Sequence, residues 1–434
     1  MEARLMPSPI PSFVVALLAA LALGGAAAQT TPPRTAPGPA AAGAASMPAS
    51  AREALQTIAR KGAEQHSDAL LVMHDGTVLL EDDGDGPPGT IELMSATKSV
   101  VALGIGLLLA DGHLDALDAP VSTWFPEWRQ GRKAQITVRM LLDHTSGLQD
   151  IPNAGAEIYP APDVVQLALA AELDSAPGER MRYNNKATNL LAGVIARASG
   201  RPMDAYLRDR LFVPLGMSPG MWYRDDAGNP HGMAGLPLTA RDAAKLGQLL
   251  LDDGVAPDGT RLLPEGFVEA LFAPGARSDA VGLLWWRRPA WQVFSLRADA
   301  AGHLAAAGVS AGFIEALQPL AGRRFDDVTG ALREALGDDF AERYGREINA
   351  RGLTRSDVFD ERSGPVVAYE ANGYLGQFIV VVPGQRLVAV RQIRSREMDG
   401  THPPDSGYAD FSRDVIALAQ ALGGDDAVPA VPAR

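Results

Sequence analysis

Ser95-Ala96-Thr97-Lys98-Ser99-Val100-Val101-Ala102-Leu103-Gly104-Ile105-Gly106-Leu107-Leu108-Leu109-Ala110-Asp111-Gly112 combines a polar start, an apolar run and a stop. Its large apolar residues fall on nearly every face of a 3.6-residue repeat, which predicts a helix from Ser95 to about Asp111, buried within its domain and ended by Gly112. Ser95 and Lys98, the only S-x-x-K in the chain, share one face of the first turn, so the amine reaches the hydroxyl. A helix start favours negative charge developing on Ser95. Burial lowers a Lys pKa and makes the neutral amine accessible, whereas Arg keeps its proton at any useful pH. Only five of the 39 basic residues are Lys, at 61, 98, 133, 186 and 245, so a chain that otherwise uses Arg keeps Lys where losing a proton matters. The structural alternative is a helix start capped by Ser95, with Lys98 snorkelling to solvent.

Working outward, residues 68–82 alternate weakly and turn at His74-Asp75-Gly76, which predicts a hairpin. Residues 115–280 read as helices joined by Pro/Gly loops, amphipathic at 163–172, 186–199, 203–212 and 240–252. Thr239-Ala240-Arg241-Asp242 supplies a capping-box pattern for the last of these. Strand-like runs come next at Val366–Tyr369, Gln377–Val382 and Leu387–Ile393, with Pro383-Gly384 as a turn, and a closing helix at about 408–422. The expected class is α/β (α+β): an antiparallel sheet built from N- and C-terminal segments and flanked by helices, with an inserted all-helical subdomain at about 115–280. Residues 292–363, rich in Ala, Arg and acidic side chains with helical patterns near 311–320 and 328–350, stand apart as an insertion of unassigned role.

Residues 1–28 carry the three parts of an export signal: Arg4, an apolar stretch from Phe13 to Leu23, and Ala26-Ala27-Ala28. That apolar stretch is well short of the roughly 20 residues needed to cross a bilayer. The expectation is a periplasmic or secreted protein without stable membrane insertion once the signal is removed. Residues 29–50 are almost all Ala, Pro, Gly, Thr and Ser, the composition of a disordered linker. Residues 51–434 are more chain than one compact core usually holds, hence a main domain with a subdomain. The absence of Cys excludes disulfides and thiolate chemistry. A net charge of −13 disfavours nucleic acid as a partner. The seven His are scattered, and neither a metal nor another cofactor is expected.

Two further motifs bear on chemistry. Tyr183-Asn184-Asn185, the only Y-x-N, lies before the predicted helix Lys186–Ser199. A phenol at a helix tip can relay a proton, and Asn185 offers an amide to Lys98 or a substrate; a packed Tyr with an Asn cap is the structural alternative. Ala371-Asn372-Gly373-Tyr374-Leu375-Gly376-Gln377 would let substrate lie against a strand edge at Asn372 and Gly373, with backbone N–H groups turned to an oxyanion, or would form an ordinary hairpin.

In this order the three motifs resemble the serine β-lactamase and penicillin-binding-protein superfamily, in its class C β-lactamase-like branch with esterases and nylon-oligomer hydrolases. Leu141-Leu142-Asp143-His144-Thr145-Ser146-Gly147-Leu148, Ala110-Asp111-Gly112-His113-Leu114 and Phe212-Val213-Pro214-Leu215-Gly216-Met217 extend the resemblance over most of 60–290 and 365–420. It implies Ser95 as nucleophile, Lys98 and Tyr183 as proton-transfer pair, Asn185 as a substrate-side amide, and an oxyanion hole from the backbone N–H groups of Ser95 and Tyr374. β-Lactamases carry Lys-Thr-Gly where this chain has Ala371-Asn372-Gly373. The resemblance therefore points to a carboxylic ester or amide, small or peptidic, without an essential anionic group.

Three alternatives compete. One is β-lactamase or D-alanyl peptidase activity. Another is a non-catalytic acyl-binding or peptidoglycan-sensing protein that keeps the fold. The third is an α/β-hydrolase using Ser310, since Gly308-Val309-Ser310-Ala311-Gly312 matches G-x-S-x-G with His402 downstream. That elbow needs a strand before it, and Leu304-Ala305-Ala306-Ala307 is a poor one. Oligomeric state has no signal in the sequence.

Overall fold

The computed structural model describes residues 47–84, 89–151, 153–395 and 407–423. The predicted signal, nearly all of the predicted linker and His402 lie outside them. The linker's last residues, Ala49 and Ser50, open helix α1 (Ala49–Glu64), because Ala51, Leu55 and Ile58 one turn on already give it an apolar face to bury.

The hairpin forms as β1 (Ala69–His74) and β2 (Thr77–Asp82), with Asp75 and Gly76 both at positive φ as a two-residue primed turn requires. The later strands are β8 (Val366–Gly373), β9 (Gln377–Val382) and β10 (Leu387–Gln392). Together with β5 (Trp286–Pro289) they make one antiparallel six-stranded sheet, in the order β2-β1-β10-β9-β8-β5. Ala69 pairs with Gln392, so the two ends of the chain meet at the sheet's centre. Strand β5 has no counterpart among the predicted strands: Trp-Arg-Arg-Pro has no alternation to read. Nor is the middle all-helical, since β3 (Ile91–Glu92) pairs with β4 (Pro237–Leu238) just ahead of the Ser95 turn.

The sheet is covered on both sides. Leu70, Val72, Val380 and Leu387 face α1 and the closing helix α10 (Phe411–Gly423), which Lys61 and Asp414 tie together at 2.8 Å. Leu71, Ile379, Val381 and Val390 face the helical layer. At the centre of that layer is α2 (Thr97–Ala110), buried from Thr97 through Leu108. Helices α3 (Val164–Ala170), α4 (Asn185–Ser199) and α5 (Ala240–Leu251) surround it.

The insertion is bounded by a second sheet, β6 (Gln292–Leu296) paired with β7 (Phe359–Ser363), Gln292 opposite Ser363. Between them run α6 (Ala300–Ala306), α7 (Ala311–Leu317), α8 (Val328–Leu336) and α9 (Phe340–Glu347). Phe294, Leu304, Phe313, Leu332 and Phe359 give this region a core of its own.

Candidate active site

Ser95 stands in a tight 3-10 turn, Met94–Ala96, that leads directly into α2. Met94 takes φ +48°, a conformation that costs a non-glycine residue energy and aims the next side chain out of the turn. The apolar faces of α2 hold that turn in place. Val100, Val101, Leu103, Ile105, Leu107 and Leu108 are each essentially buried, and at about 1.5–3 kcal/mol per side chain they supply on the order of 10 kcal/mol.

Lys98 is 3% exposed. Burial pushes its amine below the usual lysine range, against the opposing pull of Tyr183 and Asp150. Its Nζ lies 3.0 Å from Ser95 Oγ and donates to the backbone carbonyl of Met233 at 2.8 Å. Tyr183 arrives from the helical layer and its hydroxyl lies 2.9 Å from Ser95 Oγ. The Lys98 Nζ is 4.9 Å from the centre of the Tyr183 ring. The serine hydroxyl thus touches an amine one turn along its own helix and a phenol 88 residues away.

His144 explains how Tyr183 is held. Its carbonyl accepts from Arg182 N at 2.8 Å, its Nδ1 accepts from Asn184 N at 3.3 Å, and its ring packs on Tyr183 with centroids 4.8 Å apart. Burial, reinforced by Lys98, pushes its pKa down to about 3, so it stays neutral and keeps Nδ1 an acceptor. Asn184 completes the arrangement: its amide donates to Leu148 O at 2.6 Å and caps α4 by accepting from Ala187 N at 2.7 Å. On the outer side Trp286 lies parallel to Tyr183, at 6.4 Å and 18°.

Gly373 meets the Ser95 turn from the strand side. A Cβ there would sit 2.3 Å from Leu93 O and 3.0 Å from Ser95 N, so only glycine lets β8 come this close. Asn372 borders the small pocket at Ser95, and its Nδ2 donates to Glu370 at 2.8 Å. Glu370 is fully buried. Burial alone would raise its pKa, but the Arg288 guanidinium, bound through two nitrogens at 2.8 and 2.6 Å, outweighs it with help from Ser412 and Asn372, and the carboxyl is held below its usual range. Tyr374 is exposed, at the hairpin tip.

The structure therefore brings together Ser95, Lys98, Tyr183, Asn372 and Gly373. Asn185 is placed differently: it is buried in the first turn of α4, its N–H donates to Asp150, and it does not border the pocket at Ser95. Lys98 donates its second bond to the Met233 carbonyl, a backbone group with no sequence signature. Of the Trp pair, Trp285 is in the core and Trp286 lines the pocket. Ser310 is exposed at the start of α7, where its hydroxyl bonds Glu347 at 3.0 Å, and the segment before it is the helix α6. The strand that an elbow needs is not there.

Comparison with known proteins identifies the family and the fold. The family model described as Beta-lactamase matches residues 55–408. The chain is 28% identical over 235 residues to the 6-aminohexanoate-dimer hydrolase of Paenarthrobacter ureafaciens, covering 49% of this chain and 59% of that protein. It is 35% identical over 144 residues to Esterase EstB of Burkholderia gladioli, covering 29% of this chain and 36% of the esterase. The matches thus span only part of each relative's length. Among solved structures, the octameric penicillin-binding protein homologue from Pyrococcus abyssi shares the fold, with TM-score 0.54 and 18% identity, over 87% of this chain and 79% of that one.

Proposed function

The chain belongs to the beta-lactamase family, and from that premise we propose that it is an exported serine hydrolase cleaving a carboxylic ester or amide through an acyl-enzyme on Ser95. One observation carries the reading: a single serine hydroxyl lies within hydrogen-bond distance of both a buried amine and a phenol.

With one N–H committed to the Met233 carbonyl, a neutral Lys98 turns its lone pair toward Ser95. Ser95 Oγ attacks the carbonyl carbon as its proton passes to Lys98. The tetrahedral oxyanion lies between the backbone N–H groups of Ser95 and Tyr374, brought together by the close approach at Gly373. Tyr183 gives its proton to the leaving alcohol or amine and is reprotonated from Lys98. Water then attacks the acyl-enzyme, its proton returning through the same pair to Ser95 Oγ.

An ester or amide is favoured over a β-lactam because the position of the β-lactamase Lys is Ala371, whose side chain lies in the core. The relatives named as an esterase and as a 6-aminohexanoate-dimer hydrolase support that reading. Export is argued from the signal-like residues 1–28; among the described residues no helix is long and apolar enough to cross a membrane. The test is a hydrolysis panel of p-nitrophenyl esters, linear amides, D-alanyl peptides and nitrocefin, run beside Ser95→Ala. Turnover of an ester or amide that disappears in the variant supports the reading. Nitrocefin or D-alanyl peptides as the best substrate would displace the ester and amide assignment.

A further inference from the structure

A neutral Lys98 has one lone pair, and the Met233 carbonyl that accepts from Nζ at 2.8 Å turns that lone pair to Ser95. The carbonyl belongs to a stretch, 231–236, that is neither helix nor strand, so the groups bonded to it set its path. One of them is Asn189, in the second turn of α4, whose Oδ1 accepts from Met233 N at 3.0 Å. We infer that Asn189 is a positioning residue for Lys98, fixing the Met233 backbone so that its carbonyl orients the amine. This role rests on the proton transfer proposed above for Lys98, and Asn189 lies outside every motif read from the sequence.

Burial and bonding support that role. Asn189 is fully buried, and its neighbours along α4, Leu190, Leu191 and Val194, belong to the main core. An apolar residue would pack at this position with no polar group to satisfy. The Asn189 Nδ2 has no hydrogen-bond partner among the described residues, and a buried bond left unmade opposes folding, so the stability of the helix does not account for the amide. The bond to Met233 does. On either side, Trp222 Nε1 donates to the carbonyls of His231 at 2.9 Å and Ala234 at 3.3 Å, and Glu92 accepts from Gly235 N at 3.0 Å. The stretch is thus anchored before and after Met233, while Asn189 holds Met233 itself. Without the Asn189 oxygen, the Met233 N–H is left unpaired in a buried place, and a peptide that turns to find another partner carries the carbonyl off Lys98.

The test follows the rate of fluorophosphonate labelling at Ser95 against pH in the full chain, with end-point labelling giving the fraction of folded sites. Asn189→Leu removes the acceptor at similar size, and Asn189→Val takes its place if the leucine variant does not fold. The plateau rate should fall by about tenfold to a hundredfold, the scale of a displaced catalytic group. The acid limb should move to lower pH by about one unit, because a carbonyl that accepts from Nζ favours the protonated amine and its loss disfavours it. The other titratable groups acting on Lys98, namely Tyr183, Asp150 and the neutral His144, are left in place. Asn189→Asp keeps an oxygen for the Met233 N–H and should restore the plateau to within about threefold, its limb at or above the wild-type position because any negative charge favours protonated Lys98. A wild-type plateau in Asn189→Leu, a slower plateau with an unmoved limb, or an equal loss in Asn189→Asp overturns the positioning role. Lys98→Arg in the same assay separates this role from the reading beneath it. Labelling of Lys98→Arg at the wild-type rate, or no labelling of the wild-type protein, refutes the proton transfer and the positioning role with it; a slow Lys98→Arg beside an unaffected Asn189→Leu refutes the positioning role alone.

Discussion

Two serines in this molecule start helices inside short hydrolase motifs, and only one is built into a site. Ser95 opens a buried helix, and its hydroxyl meets Lys98 and Tyr183, whose own positions are set by Met233, His144 and Asn184. Ser310 opens an exposed two-turn helix and bonds a carboxylate within the same insertion. The patterns are of similar length and comparable rarity. What separates them is long-range structure: the first motif draws in groups from the sheet and the helical layer, the second only a neighbour.

The sharpest way to break this contrast is to remove each hydroxyl. Ser95→Ala is expected to lose activity by about a million-fold, the scale seen when a serine nucleophile is deleted, and Ser310→Ala to stay within about twofold of wild type in the same assay. Lys98→Arg keeps the charge and cannot shed it, so kcat should fall by about a thousandfold; a rate near wild type would show that no proton moves through Lys98. Gly373→Ala pushes a methyl group into Leu93 O and Ser95 N and should cost about a hundredfold in kcat, the scale of one lost oxyanion donor, with KM changed less.

The smaller effects concern pH. Lys98 must be neutral to accept a proton, and burial has lowered its pKa, so kcat/KM should rise with pH through that lowered value and fall about tenfold per unit on its acid side. His144 sharpens the contrast through stability. Its pKa is 6.5 in the unfolded chain and about 3 in the fold, so between these values the unfolded chain binds the extra proton. It therefore costs nothing above pH 6.5 and subtracts up to about 1.4 kcal/mol per unit as pH falls. His231, also buried and lowered, adds to the same trend. Denaturation midpoints of wild type and His144→Gln should converge as pH drops from about 6.5 to about 5.

Much of the fold is legible because periodicity reports burial. The unbroken apolar faces of α2, the hairpin at Asp75-Gly76 and the strands ending the chain all match their patterns. Strand β5 is not legible, because it is an edge strand of four half-buried residues held by pairing rather than by apolar alternation. In the site, residue type and spacing mark Ser95, Lys98 and Tyr183. The two amides beside Tyr183 look alike in sequence, and only the start of α4 decides that Asn184 caps it while Asn185 is buried in its first turn. The Met233 carbonyl has no signal at all. Glu370 has one that is easy to pass over, the only charged residue of its strand, flanked by Tyr369 and Ala371.

The most direct measurement is covalent: label the purified protein with a fluorophosphonate and locate the adduct by peptide mass spectrometry. A hydroxyl activated by Lys98 and Tyr183 should give one adduct on the Ser95 peptide, absent in Ser95→Ala, much slower in Lys98→Arg and unchanged in Ser310→Ala. An adduct on Ser310, or labelling that persists after Ser95 is removed, would contradict the assignment of the nucleophile.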